Sequence, residues 1–422
     1  MFSTDDKNCG LNRREFGVLL ASALVTPRIS WAKSTDGRIV LYVAIGADLA
    51  LYEVNEKDCT LSQNGAVTTP AAIQYVWRHP TKHILYVAYS NKFTSTTNDK
   101  NGVWAYKIDR KTGQLRAFGA PVDVESRPIN VTVDATGSYL LLAYNAPSGI
   151  TVHRLNRDGS IGSLVKQDTQ IDAGIYAHQV RVTPSNNTVI LCTRGNDATA
   201  NKPEDPGAIK VFHFRKGQLS DERSVTLGGG LGFGPRHVDF HPTKPWMYVS
   251  MERENQLIMY GLQDGSIGSS PLFTKTTLAN PSAPPAPVQV VGPIHFHPNG
   301  KFVYLANRAD GTVDFDGKKI FAGGENNVAV FAVDQRTGEP TLIQNIDTQS
   351  YHCRTTTIHP NGRMLVTASF APMLVREGNQ TALVPPTLTV FSIGTDGKLT
   401  FQRKYGIETG KDWMFWIGMT AL

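Results

Sequence analysis

The sequence predicts an all-β protein, a seven-bladed β-propeller of four-stranded antiparallel blades whose ring is closed by the N- and C-terminal strands. Three observations predict it. A turn recurs at His79-Pro80, Thr183-Pro184, His241-Pro242, His297-Pro298 and His359-Pro360, with Asp134-Ala135 as a degenerate copy, at intervals of about 50 to 60 residues, close to the period of a four-stranded blade. An apolar strand follows each turn (Leu85-Tyr86-Val87-Ala88, Leu140-Leu141-Leu142-Ala143, Val189-Ile190-Leu191-Cys192, Met247-Tyr248-Val249-Ser250, Val303-Tyr304-Leu305-Ala306, Met364-Leu365-Val366-Thr367), and Leu41-Tyr42-Val43-Ala44 is a seventh copy without a turn before it. A further element, carrying an aromatic ring ahead of an aliphatic residue and a polar turn, recurs at Tyr52, Tyr106, Phe212, Tyr260, Phe331 and Phe391, with His153 in the remaining copy. Two elements counted independently thus agree on seven.

The stretch 234–260 shows the repeat most fully: a short alternating strand, a Pro-bounded turn at 241–245, a second strand, a charged loop and a third strand. We label the strands of a blade a (innermost, before the turn) to d (outermost). The chain begins with strand b of its first blade, because 38–44 has no a-strand ahead of it. Trp413-Met414-Phe415-Trp416-Ile417 is the only unassigned strand-like run at the other end, so it supplies the missing strand and leaves no open sheet edge. Strands alternate in direction, which puts a–b and c–d turns on one face and b–c loops and d–a links on the other. The long excursions 92–102, 196–207, 309–326, 371–386 and 281–287 all fall on the second face, where a rigid scaffold usually carries binding and chemistry.

Composition fits one large domain. The chain has 422 residues, 41% of them hydrophobic, and a mean hydropathy of -0.23, which excludes a disordered or an integral helical membrane protein. Residues 1–32 read as a leader rather than as fold. Arg13-Arg14 precedes the apolar run 17–25, too short to span a bilayer, and Ser30-Trp31-Ala32 offers a small-x-small cleavage site. This is the pattern of a twin-arginine export signal, so the expectation is a 33–422 propeller delivered folded to the periplasm by the twin-arginine export machinery, with no membrane attachment after cleavage. Without the leader the chain keeps 38 basic and 33 acidic residues, about +5, too mild a balance to argue for nucleic acid. Cys9 leaves with the leader, and Cys59, Cys192 and Cys353 fall in three different blades, which reads as buried small residues rather than a disulfide framework. A monomer is expected.

Face assignment sorts the polar residues. His79, His241, His297 and His359 recur with the short turns and read as structural. The mouth of the ring takes residues at the start of strand a (His178, Arg236, His237, His295) and at the end of strand b (Arg194, Glu252, Arg253, Arg308). Arg236 and Glu252 flank one hairpin, Arg308 enters from the next blade and His178 from the preceding one. Guanidinium forks bind carboxylates or stabilise a developing oxyanion, and an imidazole moves protons near neutral pH. Glu252 is the poorer base, since neighbouring arginines favour its charged form.

Gly232-Phe233-Gly234-Pro235-Arg236-His237, Phe240-His241-Pro242, Tyr248 and Glu252 resemble the signature of the seven-bladed lactonase family, which includes propeller-type 6-phosphogluconolactonases and carboxy-cis,cis-muconate cyclase. Ile294-His295-Phe296-His297-Pro298-Asn299-Gly300-Lys301, Tyr304 and Asn307-Arg308 are similar to its next blade. The resemblance implies an active site of His178 (in Ala177-His178-Gln179-Val180), Arg236, Glu252 and Arg308; His237, His295 and Arg194, placed at the same mouth by face assignment, are expected to bind substrate, and no cofactor is expected. It implies a lactonase, a carboxylic ester hydrolase, or a lactonising cycloisomerase, for a small sugar-acid or carboxylated lactone. Two departures mark this chain: Met251-Glu252 where relatives commonly read Asn-Glu, and Thr193-Arg194-Gly195-Asn196-Asp197 with an insertion where Asp-Leu-Gly is expected. Both imply an altered pocket, and an export signal fits poorly with a phosphorylated cytosolic sugar lactone.

Other signals are weaker. The run 228–234 lacks G-x-G-x-x-G spacing and leads into an inner strand, so it reads as a link rather than a nucleotide cradle. No H-E-x-x-H, C-x-x-C or EF-hand spacing occurs, although a propeller could gather His178, His237 and His295 around a metal. Two rival readings are a non-catalytic envelope propeller that binds a peptide, glycan or protein partner, and a metal- or quinone-dependent redox propeller.

Overall fold

The computed structural model describes residues 37–92 and 99–422, and the leader read over 1–32 lies outside the described residues. Apart from one 3-10 turn at Gly228–Gly230, the regular structure there is β-strand, and no helix is long and apolar enough to cross a membrane. Seven antiparallel sheets form the blades. Listed from the axis outward, blade 1 is Met414–Ala421, Ile39–Ile45, Asp48–Asn55 and Thr60–Thr68. Blades 2 to 7 begin at the axis with Ile73–Arg78, Pro128–Val133, Ala177–Val182, Pro235–Phe240, Val290–Phe296 and Cys353–Ile358. Each innermost strand packs against those of both neighbouring blades, so the ring closes on itself. Closure is by strand exchange between the chain ends, with Val43 opposite Ile417 and Leu41 opposite Met419.

The repeated residues hold blade to blade. Tyr42, Tyr86, Tyr248 and Tyr304 on strand b each donate their hydroxyl to a glycine carbonyl in the c–d turn of the next blade, at Gly113 (2.6 Å), Gly159 (2.7 Å), Gly338 (2.5 Å) and Gly397 (2.9 Å). A buried phenol needs such an acceptor. The turn histidines cap their own loops: His79 Nδ1 accepts from the Thr81 and Lys82 amides, and His241 Nδ1 from those of Thr243 and Lys244. His297 uses its other nitrogen to reach the Gly362 carbonyl of the next blade at 2.7 Å. The motif that reveals the repeat is therefore an inter-blade clasp, as its placement on the short-turn face anticipates. The aromatic position of strand c (Tyr52, Tyr106, Phe212, Tyr260, Phe331, Phe391) is buried between sheets.

The other face is built differently. The b–c excursions of blades 6 and 7 fold into hairpins, Thr312–Phe315 with Lys318–Phe321 and Met373–Glu377 with Gln380–Val384. They lean on each other, with Arg376 over the Phe315 ring at 4.4 Å. Cys59, Cys192 and Cys353 are buried free thiols.

Candidate active site

Every innermost strand is interrupted at the same point. The pairing of strand a with strand b skips one or two residues near the start of a: Phe415 in blade 1, then Gln74, Ile129, His178, Arg236, Gly292-Pro293 and Arg354. A β-bulge re-aims the unpaired side chain, and seven bulges around one axis aim seven positions at a common centre. An axial cavity lies there, lined by Phe415, Gln74, Ile129, His178, Arg236, Pro293 and Arg354, with Tyr75, His237, Thr355 and His295 completing the wall.

Residues at the end of strand b form a layer behind this one. Glu252 accepts from Arg194 Nε and Arg308 Nη2, and Arg236 Nε lies 3.0 Å from its Oε1. Three guanidiniums from blades 4, 5 and 6 thus share one carboxylate, all but Arg194 essentially buried. Burial alone would raise the proton affinity of Glu252, but Arg308, Arg236 and Arg194 together outweigh it and hold the group down at about 2. Arg308 reaches this position because blade 6 has Gly292 at its bulge: a Cβ there would come within 3.1 Å of Arg308 Nε. On its far side Arg308 Nη1 donates to His352 Nε2 at 2.9 Å, and His352 Nδ1 is held by Asp310 at 2.5 Å.

The histidines are kept neutral. His178 and His237 meet edge to face at 5.0 Å, and Arg236 lies over His237. Burial first, then the Arg236 charge, holds the proton affinity of both rings well below the usual imidazole value. His178 Nδ1 has no hydrogen-bond partner among the described residues.

The sequence-predicted set is thus divided by depth. His178, Arg236, His237 and His295 line the cavity, whereas Glu252, Arg308 and Arg194 stand behind Arg236 and act on the cavity through it. One placement needs correction: His295 is the sixth residue of Val290–Phe296, not its start, so it belongs to the deeper wall, at the level of Asp239 rather than of Arg236. Arg253 turns away from the cluster to Asp197 and Glu204. Among the described residues no group of three or more His, Cys, Asp or Glu could hold a metal ion, so His178, His237 and His295 do not form the metal site considered from sequence.

Arg354, Gln74 and Phe415 escaped the sequence reading. Their signal was available: Tyr351-His352-Cys353-Arg354 aligns with Phe233-Gly234-Pro235-Arg236 once the blades are registered on His359 and His241. The lactonase-like motifs lie in blades 5 and 6 and carry no signal for blade 7.

The comparisons agree with this architecture. A sequence model of the family described as "Lactonase, 7-bladed beta-propeller" matches residues 39–371. A 6-phosphogluconolactonase of Bacillus subtilis is 25% identical over 284 residues, 64% of this chain and 71% of the relative. One of Cronobacter sakazakii is 28% identical over 279 residues, 64% and 75% of the two chains. Among solved structures, a Pseudomonas aeruginosa periplasmic gluconolactonase superposes with a TM-score of 0.71 at 17% identity, covering 91% of this chain and 99% of its own. A putative 6-phosphogluconolactonase from Bacteroides fragilis gives 0.67 at 18%, covering 92% and 99%. A fold built on the same seven repeats, and a family match across most of the chain, lead to one conclusion: this chain belongs to the lactonase family of seven-bladed β-propellers.

Proposed function

We propose that the protein is a lactonase-type hydrolase that opens a small sugar-acid or carboxylated lactone in the axial cavity. The observation that carries this reading is the pairing, on one wall, of a neutral buried imidazole, His178, with a guanidinium, Arg236, whose orientation Glu252 fixes. A neutral imidazole can take a proton from water, and a fixed cation can stabilise the charge that develops on a carbonyl oxygen. Water adds to the lactone carbonyl as His178 takes its proton, and Arg236 faces the resulting oxyanion. The ring C–O bond then breaks, the proton returns to the departing alkoxide, and a hydroxy acid results. Run backwards, the same steps form the lactone.

Glu252 has the role of positioning Arg236, Arg308 and Arg194 in this scheme, because it stands behind the cavity wall with its oxygens engaged by those three guanidiniums. His237 and His295 shape the deeper wall against which the substrate ring rests. The leader read over residues 1–32 supports a periplasmic location by the twin-arginine route, and the names of the relatives support lactone chemistry. Titration of released acid at constant pH, with residues 33–422 and a panel of sugar-acid and muconate-type lactones, is the test. Hydrolysis that His178→Ala and Arg236→Ala each reduce at least about tenfold is expected, with melting temperature nearly unchanged for His178→Ala. No hydrolysis of any lactone, alongside tight binding of a peptide or glycan, would instead favour a binding propeller.

A further inference from the structure

Arg354 is the bulged residue of blade 7 and lines the cavity together with Arg236, yet its electrostatic surroundings are different. Glu252 follows the last paired residue of strand b in blade 5, and the same place in blade 7 is Phe370. In these equivalent places the Glu252 amide bonds the Gly234 carbonyl and the Phe370 amide bonds the His352 carbonyl. Blade 7 therefore offers Arg354 an aromatic ring where blade 5 offers Arg236 a carboxylate. The guanidinium lies 4.2 Å from the centre of the Phe415 ring and 5.6 Å from that of Phe370, and Phe370 is itself braced by Trp413 at 5.1 Å. Among the described residues Arg354 has no ion-pair or hydrogen-bond partner, and its Nε is buried without one.

Among the described residues no carboxylate lines the cavity, and Glu252 behind it is already shared by Arg194, Arg236 and Arg308. Burial and the repulsion of Arg236 and Arg308 make the Arg354 charge costly. A planar cation held by two aromatic faces, facing a cavity and lacking a counter-ion, is arranged to receive an anion from outside the protein.

We propose that Arg354 binds a carboxylate substituent of the substrate, distinct from the lactone group that reacts, and so selects charged over neutral lactones. This rests on the lactonase reading above and extends it: Arg236 faces the reacting carbonyl, and Arg354 anchors the other end of the molecule. One uncompensated fork matches the two coplanar oxygens of a carboxylate.

The test uses lactone pairs that differ in charge. For 5-oxotetrahydrofuran-2-carboxylate, Arg354→Gln is expected to raise KM at least about tenfold with kcat changed less than about threefold, while its effect on γ-valerolactone, with methyl in place of carboxylate, is at least about threefold smaller. Arg354→Lys keeps the charge without the fork and falls between. The pair 6-phosphoglucono- and glucono-δ-lactone runs in parallel, and selective loss on the phosphorylated member alone would overturn the carboxylate assignment. Equal losses on charged and neutral lactones, or no loss, would overturn the proposal outright. Calorimetric binding of 2-hydroxyglutarate, the product of the first lactone, separates the two readings. If the wild type opens no lactone yet binds 2-hydroxyglutarate at least about tenfold more tightly than Arg354→Gln does, the lactonase reading fails and the anion site stands. If neither protein binds it, the anion site fails.

Discussion

Arg236 and Arg354 stand at the same bulge of blades 5 and 7, but only Arg236 has a carboxylate, Glu252, within reach at 3.0 Å. Sevenfold repetition gives the two residues one geometry, and the residue ending the neighbouring strand b, Glu252 or Phe370, gives them different chemistry. The cavity is polar on the blade 4 and 5 side, where His178 and Arg236 lie, and aromatic on the blade 7 and 1 side, where Phe415 meets Arg354.

Glu252→Gln should be the most damaging single change in the site. It leaves three guanidiniums facing one another without their shared anion, and removing one partner of a buried ion network costs about 3–5 kcal/mol. Urea unfolding should show an unfolding free energy lower by that amount, and turnover should fall as Arg236 loses its orientation. A variant of unchanged stability would mean that the carboxylate does not hold the three blades together.

Turnover should not show the ordinary histidine titration. His178 is held neutral to well below its usual pKa by burial and by Arg236, so kcat/KM should stay level from pH 8 down through 6.5 and decline only under more acidic conditions. A half-maximal point near 6.5 would place a solvated histidine, not His178, in the proton-transfer role.

Folding stability should have the opposite sensitivity. Ten of the 11 histidines have proton affinities below the usual 6.5, burial being the first cause in each, with His79 and His352 held at about 4. The unfolded chain takes up these protons near 6.5 and the folded chain only at lower pH, so stability present above 6.5 is lost as pH falls below it. Each such group contributes a slope of about 1.4 kcal/mol per pH unit between its two values. Glu252 adds to the loss only below its ordinary value of 4.5, towards about 2. Melting temperature should therefore begin to fall from about pH 6.5; a flat profile down to pH 5 would contradict the burial of these rings.

Tyr248→Phe serves as a control from the far face. It removes the hydroxyl bond to the Gly338 carbonyl, at 2.5 Å, and should cost about 1 kcal/mol or somewhat more, since the carbonyl loses its partner. The clasp lies on the short-turn face, so kcat and KM on any lactone the wild type opens should be unaffected.

Much of this architecture was legible in the chain because a propeller writes its fold repeatedly. The His-Pro turn, the b-strand tyrosine and the c-strand ring recur since each blade must meet its neighbour in the same way, and Tyr248, Tyr304 and His297 show the bonds that enforce it. Strand direction then assigned His241 to one face and Arg236 to the other without coordinates. The depth of His295 and the presence of Arg354 were not legible in the same way. Both depend on where strand pairing skips a residue, and a bulge leaves no mark in an alternating apolar pattern. His352 and Asp310 were missed for another reason: they come from a loop and a strand link whose meeting is set by the 309–326 excursion.

By itself the sequence determined seven blades, closure by Trp413-Met414-Phe415-Trp416-Ile417, and the convergence of His178, Arg236, Glu252 and Arg308, because periodic burial and strand alternation are local properties that repetition makes additive. Only the tertiary structure decided which of those residues face the cavity, that three guanidiniums share Glu252, and that Arg354 has no counter-ion among the described residues. Charge balance in a buried site depends on distances of a few ångströms between residues as far apart in the chain as Arg194 and Arg308, and no pattern along one strand encodes those distances.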